Sequence, residues 1–309
     1  MEIIRPFLRW AGGKRWLAER LRDQLAPRIA KGGTYYEPFL GSGAMFFRLA
    51  PSRAMLSDLN ADLINTFQMV ARSPAEIERH LCTLASCRAL YETVRESAPH
   101  DALERAVRFI YLNRNCWGGL YRENLAGRFN TPWGGGERTH LSMARNGTLT
   151  RAAVLLDQRD VRLETCDFEP ALDRAGTEDV IYCDPTYRHT TRRRFDRYGQ
   201  TIFDWKDQQR LAAAVWRAFG RGAMVLLSNA SCLGIRELYS GAGLICVHRP
   251  KGLAPARSDA QHAEYLFVLD PTEQWANWSR IGTVVRRQNQ SLRTSIKAAK
   301  VRGVSSAVQ

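Results

Sequence analysis

The stretch TYYEPFLGSGAMFFRL, residues 34–49, decides the fold of this chain. Its first part, 34–39, has the apolar and aromatic composition of a short buried strand, and a helical pattern begins at Ala44. Gly41 and Gly43 separate the strand from the helix, and glycine allows a tight turn and a close approach of the backbone to a ligand. A strand, a glycine turn and a helix in this order are typical of the first unit of a parallel α/β sheet.

The same alternation of strands and helices continues along the chain. A helix is predicted over residues 15–25, and a second strand over 54–57 runs directly into Asp58. From Val161 onward short apolar runs predict strands over 161–164, 180–183, 224–228, 244–248 and 265–269, with a helix over 205–219 between two of them. We therefore expect an α/β protein with a doubly wound sheet.

Residues 67–155 differ from the rest of the chain in their pattern of apolar residues. Two helical patterns, over 74–89 and 102–113, precede a glycine-rich, aromatic and basic stretch over 117–136, and no buried-strand pattern interrupts them. The order is therefore core, insertion, core. The expected units are a core domain of residues 1–66 and 156–272, an inserted helical module with a hairpin loop over 67–155, and a basic, mobile tail over 273–309. A short amphipathic helix over 291–301 is an alternative for part of that tail.

Composition limits the classes of function. The chain carries 45 Lys and Arg against 31 Asp and Glu, and its net charge of +14 favours a polyanionic partner, although a solvated basic surface is the plain alternative. Its seven cysteines are scattered and never form a C-x-x-C pair, which predicts reduced thiols and no zinc site. We expect no metal, no membrane span and no signal peptide, and a location in the cytosol.

The glycine turn and the acid after the next strand predict a nucleoside cofactor. Asp58 stands where an acid can bind both hydroxyls of a ribose. The dinucleotide fingerprint places a third glycine where this chain has Phe46, so S-adenosylmethionine, which has no phosphate, fits better than a dinucleotide. An earlier segment, 7–14, ends in a Gly-Gly turn before Lys14, and its alternative interpretation is an N-terminal cap that packs Trp10 into the core.

The tetrapeptide Asp184-Pro185-Thr186-Tyr187 follows the predicted strand 180–183. The carboxylate of Asp184 and the carbonyl of Pro185 each suit an amino hydrogen of a flat base, and Tyr187 suits stacking on its ring. A strand-ending turn with a solvated acid is the alternative.

A third segment, 114–134, mixes arginine, asparagine, aromatic residues and glycine. Arginine pairs with guanine, asparagine pairs with adenine, and apolar side chains wedge between base steps. The mixture therefore favours a nucleic-acid reader over an ordinary basic surface loop.

Taken together, these segments resemble the Dam-type DNA adenine-N6 methyltransferases, the α-group of amino-methyltransferases. The matching blocks stand in the order of that family: FLRWAGGK (7–14), EPFLGSGAMF (37–46), SDLNADLINTF (57–67), GGLYRENLAGRFNTPWG (118–134), TCDF (165–168), DPTY (184–187), FDWKDQQRLA (203–212) and LLSNAS (226–231). Where this chain has Thr186 the family usually has a second proline, and we expect the chemistry to survive because Thr186 supplies neither amine acceptor.

The resemblance implies a Rossmann-like methyltransferase domain that binds S-adenosylmethionine, with residues 67–155 as an inserted DNA-recognition domain. The residues implied in cofactor binding are Trp10, Lys14, Phe39, Gly41, Asp58, Asp167, Phe168 and Asp184. The residues implied in catalysis are Asp184, Pro185 and Tyr187. The residues implied in DNA binding are Arg9, Trp117, Leu120, Arg122, Asn124, Asn130 and Pro132.

The implied reaction is methylation of the N6 amine of an adenine that is flipped out of duplex DNA, within GATC or a closely related site. Methylation of cytosine N4, of RNA adenine or of a protein amide, and a catalytically silent DNA-binding protein of the same fold, stand as alternatives. A nucleotide-dependent oxidoreductase is disfavoured by Phe46 and by the tetrapeptide. The expected partner is double-stranded DNA, with a cognate restriction endonuclease left open. We expect a monomer when free, in a bacterial cytosol or nucleoid, with a phage-encoded origin also open.

Overall fold

The computed structural model describes residues 4–10, 12–124, 126–135, 140–185, 203–248, 263–272, 278 and 281–285. The strands in these ranges are β1 (Tyr35–Glu37), β2 (Arg53–Asp58), β3 (Asp160–Thr165), β4 (Val180–Cys183), β5 (Met224–Ala230), β6 (Gly243–His248), β7 (Ala263–Leu269) and β8 (Thr283–Val285). The helices are α1 (Arg15–Ile29), α2 (Ala44–Leu49), α3 (Ala61–Arg72), α4 (Pro74–Thr83), α5 (Arg88–Glu96), α6 (Ala102–Asn115), α7 (His140–Arg145), α8 (Thr148–Leu156), α9 (Phe168–Asp173), α10 (Trp205–Gly220) and α11 (Leu233–Leu238).

One mixed sheet organises the fold, in the order β3-β2-β1-β4-β5-β7-β6-β8. Strands β1 to β5 pair in parallel, whereas β7 pairs antiparallel with both β5 and β6. The expected doubly wound α/β fold is confirmed. From β1 the sheet grows through β2 and β3 toward one edge, and from β4 it grows through β5 toward the other edge, so the order in which strands are added reverses between β1 and β4. In open α/β sheets ligands bind outside the carboxyl ends of the strands at such a point.

Strand β4 shows why the central strands are continuously apolar. Val180 and Tyr182 pack into the cluster that contains α1, while Ile181 and Cys183 pack into the cluster that contains α10. Because successive side chains of a strand point to opposite faces, a strand covered by helices on both faces needs apolar residues at every position.

The inserted residues form helices, as expected, but the pattern predicted as one helix over 74–89 is two helices, α4 and α5. The carbonyls of Leu84 and Ala85 accept hydrogen bonds from the ring of His140 (3.0 Å) and the hydroxyl of Tyr111 (2.8 Å) instead of continuing the helix. These partners lie far along the chain, so tertiary contacts override a local helical pattern that contains no proline or glycine after Pro74 at its first position.

Part of the segment expected to be a mobile tail belongs to the sheet. Trp278 and Ile281 are buried in the core cluster, and β8 pairs with β6. Between them and the strand, Gly282 approaches β6 so closely that an added Cβ would lie 2.3 Å from the carbonyl oxygen of Cys246. Burial of the side chains of Trp278 and Ile281 stabilises the packing of these residues on the core, in contrast to the expected mobile tail. Residues 286–309, including the alternative helix over 291–301, lie outside the described residues.

No helix in the ranges described above combines the length and the apolar character needed to cross a bilayer.

His140 is a buried neutral base inside the inserted helices. Its Nδ1 accepts a hydrogen bond from the side-chain amide of Asn115 (2.8 Å), and its Nε2 donates to the carbonyl of Leu84 (3.0 Å), beside the ring of Tyr111. Burial lowers the pKa of His140, and the positive charge of Arg114 lowers it further. Protonation would also place an N–H against the amide donor of Asn115.

We expect acid to destabilise the protein through His140. The pKa of His140 in the folded protein lies below its unfolded value near 6.5. The stabilising contribution of neutral His140 is therefore present above pH about 6.5 and is lost as the pH falls below that value. Thermal unfolding from pH 7.5 to 5 should show a smaller acid loss in His140→Gln than in the parent. His80→Gln, which removes an exposed histidine of α4, is the control. Parallel pH dependence in all three proteins would contradict the assignment.

Candidate active site

The turn after β1 is built around Gly41. Its amide donates to Oδ2 of Asp58 (3.1 Å), and its φ of +49° lies in the left-handed region. An added Cβ would fall 2.8 Å from Cδ1 of Trp10. A side chain at this position is therefore excluded twice, by the backbone conformation and by the tryptophan that packs on the turn.

Asp58 ends β2 with both carboxylate oxygens oriented. Oδ1 accepts from the amide of Asn60 (3.0 Å) and Oδ2 from the amide of Gly41. Burial raises the pKa of Asp58, and these amide hydrogen bonds oppose the rise. The carboxylate is thus held in place before any ligand binds, and Asp58 stands at the carboxyl end of the strand, where the sequence predicts it.

Glu37 is a buried acid to which the sequence analysis gave no role. The hydroxyl of Tyr35 (2.9 Å) and the amide of Phe46 (3.0 Å) both donate to its Oε2. The pKa of Glu37 is raised to about 8, mainly by burial and also by the nearby charges of Asp184 and Asp58, while the hydrogen bonds from Tyr35 and Phe46 oppose the rise. Its contacts join β1 to the start of α2 across the turn. An acid inside an otherwise apolar strand pattern was the available sequence signal.

Aromatic rings line one side of the turn. Phe39 stacks on Phe168 with ring centroids 5.5 Å apart, and Phe203 meets Phe39 edge-on at 5.7 Å. The adjacent Asp167 caps α9 by accepting from the amide of Glu169 (2.9 Å). The structure therefore brings Phe39, Asp167 and Phe168 together, three of the residues that the resemblance implies in cofactor binding.

Arg210 of α10 is a second residue that sequence reasoning missed. Its guanidinium donates to Oδ1 of Asp167 (2.8 Å) and lies over the ring of Phe168, 4.8 Å from the centroid. It therefore fixes the carboxylate and covers the aromatic ring at once. The block FDWKDQQRLA contains Arg210, but only the fold shows that α10 approaches α9 here.

The predicted catalytic acid lies in a cluster of charged side chains. Asp184 follows β4 directly, and its Oδ1 lies 3.0 Å from Nζ of Lys14. The same Nζ lies 3.4 Å from Oε2 of Glu264, and it donates to the carbonyl of Gly12 (3.1 Å). Lys14 is 4% exposed, whereas Asp184 is 21% exposed, so the acid retains access to solvent or ligand. Pro185 is buried beside it, and Thr186 and Tyr187 lie outside the described residues.

The balance of charge at this edge of the sheet is negative. Asp58 and Asp184 carry negative charges that help to raise the pKa of Glu37, and Lys14 is the cation paired with Asp184 and Glu264. Such a site suits a ligand that carries positive charge, such as a sulfonium or an ammonium, and disfavours a pyrophosphate. Among the described residues, no group of three or more His, Cys, Asp or Glu side chains is arranged to hold a metal ion.

The segment after α6 presents apolar side chains at one end of a hairpin. Trp117 lies in a single 3₁₀ turn and is 61% exposed, and its amide donates to the carbonyl of the exposed Pro132 (2.9 Å). The carbonyl of Leu120 accepts from the hydroxyl of Thr131 (2.6 Å). The fold thus brings Trp117, Leu120 and Pro132 together, although they are distant in sequence.

The polar residues of the hairpin have two kinds of surroundings. The Nε of Arg122 donates to Oδ1 of Asn130 (3.3 Å), which braces the arginine across the hairpin. Oδ1 of Asn124 accepts from the amides of Ala126 (2.9 Å) and Arg128 (3.0 Å). The side-chain oxygen of Asn124 therefore stabilises the turn of the hairpin, a role that differs from the DNA contact that the resemblance implies.

The N-terminal segment 7–14 joins the hairpin to the turn after β1. The amide and carbonyl of Arg9 pair with the side chain of the buried Asn113 of α6, at 2.9 and 2.7 Å. Trp10 stacks on Tyr121 with ring centroids 5.7 Å apart. Gly119 makes room for Arg9, because an added Cβ would lie 2.5 Å from the Cβ of Arg9. One short segment thus contacts both the hairpin and the charged cluster.

Comparisons with known proteins match most of the chain to one family. Residues 10–251 match the model of the D12 class N6 adenine-specific DNA methyltransferase family. The chain is 32% identical to the DNA adenine methylase of Escherichia coli K12 over 276 residues, which cover 87% of this chain and 96% of that protein. It is 31% identical to the type II methyltransferase M1.LlaDCHI of Lactococcus lactis subsp. cremoris, over 76% of this chain and 84% of that protein.

A third relative is much longer than this chain. The DNA N-6-adenine-methyltransferase of Escherichia phage P1 is 34% identical over 254 residues, which cover 78% of this chain and 32% of the phage protein. The chain therefore spans about a third of the length of that relative.

Proposed function

The chain belongs to the D12 class N6 adenine-specific DNA methyltransferases, and from that membership we propose that it methylates an adenine flipped out of duplex DNA within GATC or a closely related site. S-adenosylmethionine is the proposed methyl donor. The observation that carries the proposal is the position of Asp184, which lies at the carboxyl end of β4 and is held by Lys14.

The residues present fit S-adenosylmethionine. When bound, this cofactor supplies a methyl group on a positively charged sulfur, and the negative charges of Asp58 and Asp184 suit that charge. Asp58, held by two backbone amides, is proposed to bind the ribose, and Phe39 and Phe168 to contact the adenine ring. The other residues proposed to contact the cofactor are Trp10, Lys14, Gly41, Asp167 and Asp184.

Asp184 and Pro185 are proposed to activate the amine by orientation. Two acceptors on the amino hydrogens draw the nitrogen lone pair out of conjugation with the ring and aim it at the methyl carbon. Lys14 fixes the carboxylate of Asp184, so that little reorganisation is needed on binding. The surplus amine proton leaves to water after transfer, and stacking by Tyr187 stays a prediction of the sequence.

Residues 67–155 are proposed to read the DNA. A stacked adenine cannot reach the methyl group, so the base has to leave the duplex. The exposed Trp117, with Leu120 and Pro132 beside it, has the apolar character of a wedge between base steps. Arg9, Arg122 and Asn130 stand near this end as candidate polar contacts, and Asn124 supports the turn. A cognate restriction endonuclease stays a prediction.

Methylation of defined duplexes tests the proposal. Full-length protein, labelled S-adenosylmethionine and a duplex with one GATC site should yield N6-methyladenine at that site, and a matched duplex with GTAC should not be labelled. In the same GATC duplex, 2-aminopurine at the target position should gain fluorescence on binding because the base leaves the stack. Label in cytosine, or equal label in the two duplexes, would contradict the proposed base or the proposed site.

A further inference from the structure

Glu264 is an acid at the active-site edge that enters from the antiparallel part of the sheet. It is the second residue of β7 and pairs in register with Ala230, the last residue of β5. Because β7 runs opposite to β5, its first residues lie beside the carboxyl end of β5. Glu264 thereby reaches the edge where Asp184 follows β4.

The contact between Glu264 and Lys14 has the features of a shielded ion pair. Nζ of Lys14 lies 3.4 Å from Oε2 of Glu264 and 3.0 Å from Oδ1 of Asp184, so one cation faces two carboxylates. Glu264 is 14% exposed and Lys14 is 4% exposed, so water screens these charges only partly. Formal charges of +1, −1 and −1 leave the three groups with a net charge of −1.

That net charge bears on the reaction proposed above. As the amine nitrogen forms its bond to the methyl carbon, the carbon–sulfur bond breaks and its electron pair stays on the sulfur, which becomes neutral. Positive charge appears on the nitrogen, which then releases a proton to water. A net charge of −1 stabilises a cation at either end of this transfer, whereas Lys14 and Asp184 alone would sum to zero.

We propose that Glu264 is a positioning residue that neutralises Lys14 and so leaves the charge of Asp184 available to the cationic cofactor and to the reacting amine. This role rests on the proposed function. It differs from a packing role because it depends on the charge of Glu264, which glutamine lacks and aspartate retains.

Binding of two cofactor forms tests the charge directly. S-adenosylmethionine carries the sulfonium charge, and S-adenosylhomocysteine has a neutral sulfur but the same adenosine and amino-acid ends. Calorimetry on the full-length protein gives the ratio of their dissociation constants. In Glu264→Gln, binding of S-adenosylmethionine should weaken about two- to tenfold relative to S-adenosylhomocysteine. The kcat should fall with little change in the KM for DNA.

Two further variants separate charge from structure. Glu264→Asp retains the charge and should keep the parent ratio. Glu237→Gln removes an equal charge from the exposed surface of α11 and should leave the ratio and the kcat unchanged. Equal weakening of both ligands in Glu264→Gln, or no change in either, would overturn the role of Glu264. Failure of the parent protein to bind S-adenosylmethionine would instead overturn the proposed function, and this inference with it.

Discussion

Replacing Asp184 with alanine is expected to abolish methyl transfer, with a loss of about a thousandfold or more in kcat. The substitution removes an acceptor of the amine hydrogens and leaves Lys14 with one carboxylate partner fewer. Positive charge then develops on the amine with no net negative charge beside it, because the remaining carboxylate of Glu264 only balances Lys14. Transfer of labelled methyl to a GATC duplex, measured under single-turnover conditions, checks the loss of the chemical step.

DNA binding supplies the test that the Asp184→Ala protein is folded. The proposed reading hairpin does not include Asp184, so the variant should retain its affinity for the GATC duplex. Asp23→Ala, which removes an exposed acid from α1, should retain both binding and activity. Methyl transfer at the parent rate in Asp184→Ala would show that another group orients the amine.

Arg122→Ala is expected to change site choice more than it changes general DNA affinity. A bidentate contact between arginine and guanine contributes about 1–3 kcal/mol to discrimination, so binding of the cognate duplex should weaken and one guanine position should become tolerant. The brace from Asn130 presets the guanidinium, which reduces the entropy lost on binding. Competition between GATC duplexes and duplexes with single-base changes gives the preference at each position.

Arg128 provides the matched control for Arg122. It lies on the same hairpin and is exposed, and its amide serves the turn around Asn124. Arg128→Ala removes the same charge, and we expect it to weaken all sequences alike and to lower the salt slope of binding by about 1 if it contacts a phosphate. If Arg122→Ala behaves in the same way, Arg122 contacts the backbone and does not read a base.

Much of the core could be predicted from sequence because local patterns and fold rules agree there. The apolar run 180–183 predicts β4 at its observed bounds, and the strand before Asp58 brings that acid to the carboxyl edge. Parallel strands end at a common edge, so a motif read at the end of each strand belongs to one site. The family resemblance, carried by the order of the motifs, is confirmed by the match over residues 10–251.

The remaining features depend on contacts that sequence spacing does not contain. Glu264 reaches the site because β7 is antiparallel, and a search for acids at strand carboxyl ends passes over the start of a strand. The break between α4 and α5 depends on His140 and Tyr111, which come from other helices. Trp278 is buried in the core, although it lies in a sequence whose polar and basic composition predicts a mobile arm.

The contacts of Arg9 and Trp10 bear on how the proposed reading of DNA could be redirected to a new sequence. In a chimaera that exchanged only residues 67–155, Asn113 and Tyr121 would come from one parent protein, whereas Arg9 and Trp10 would come from the other. The contacts of Asn113 with Arg9 and of Tyr121 with Trp10 would then join residues that do not belong to the same parent. If residues 67–155 read the DNA as proposed, the unit to be exchanged is discontinuous, since it consists of the insertion together with residues 7–14. Grafts that carry both pieces from the same donor should preserve the fit that Gly119 makes for Arg9, and libraries meant to diversify specificity should vary the two pieces as a pair.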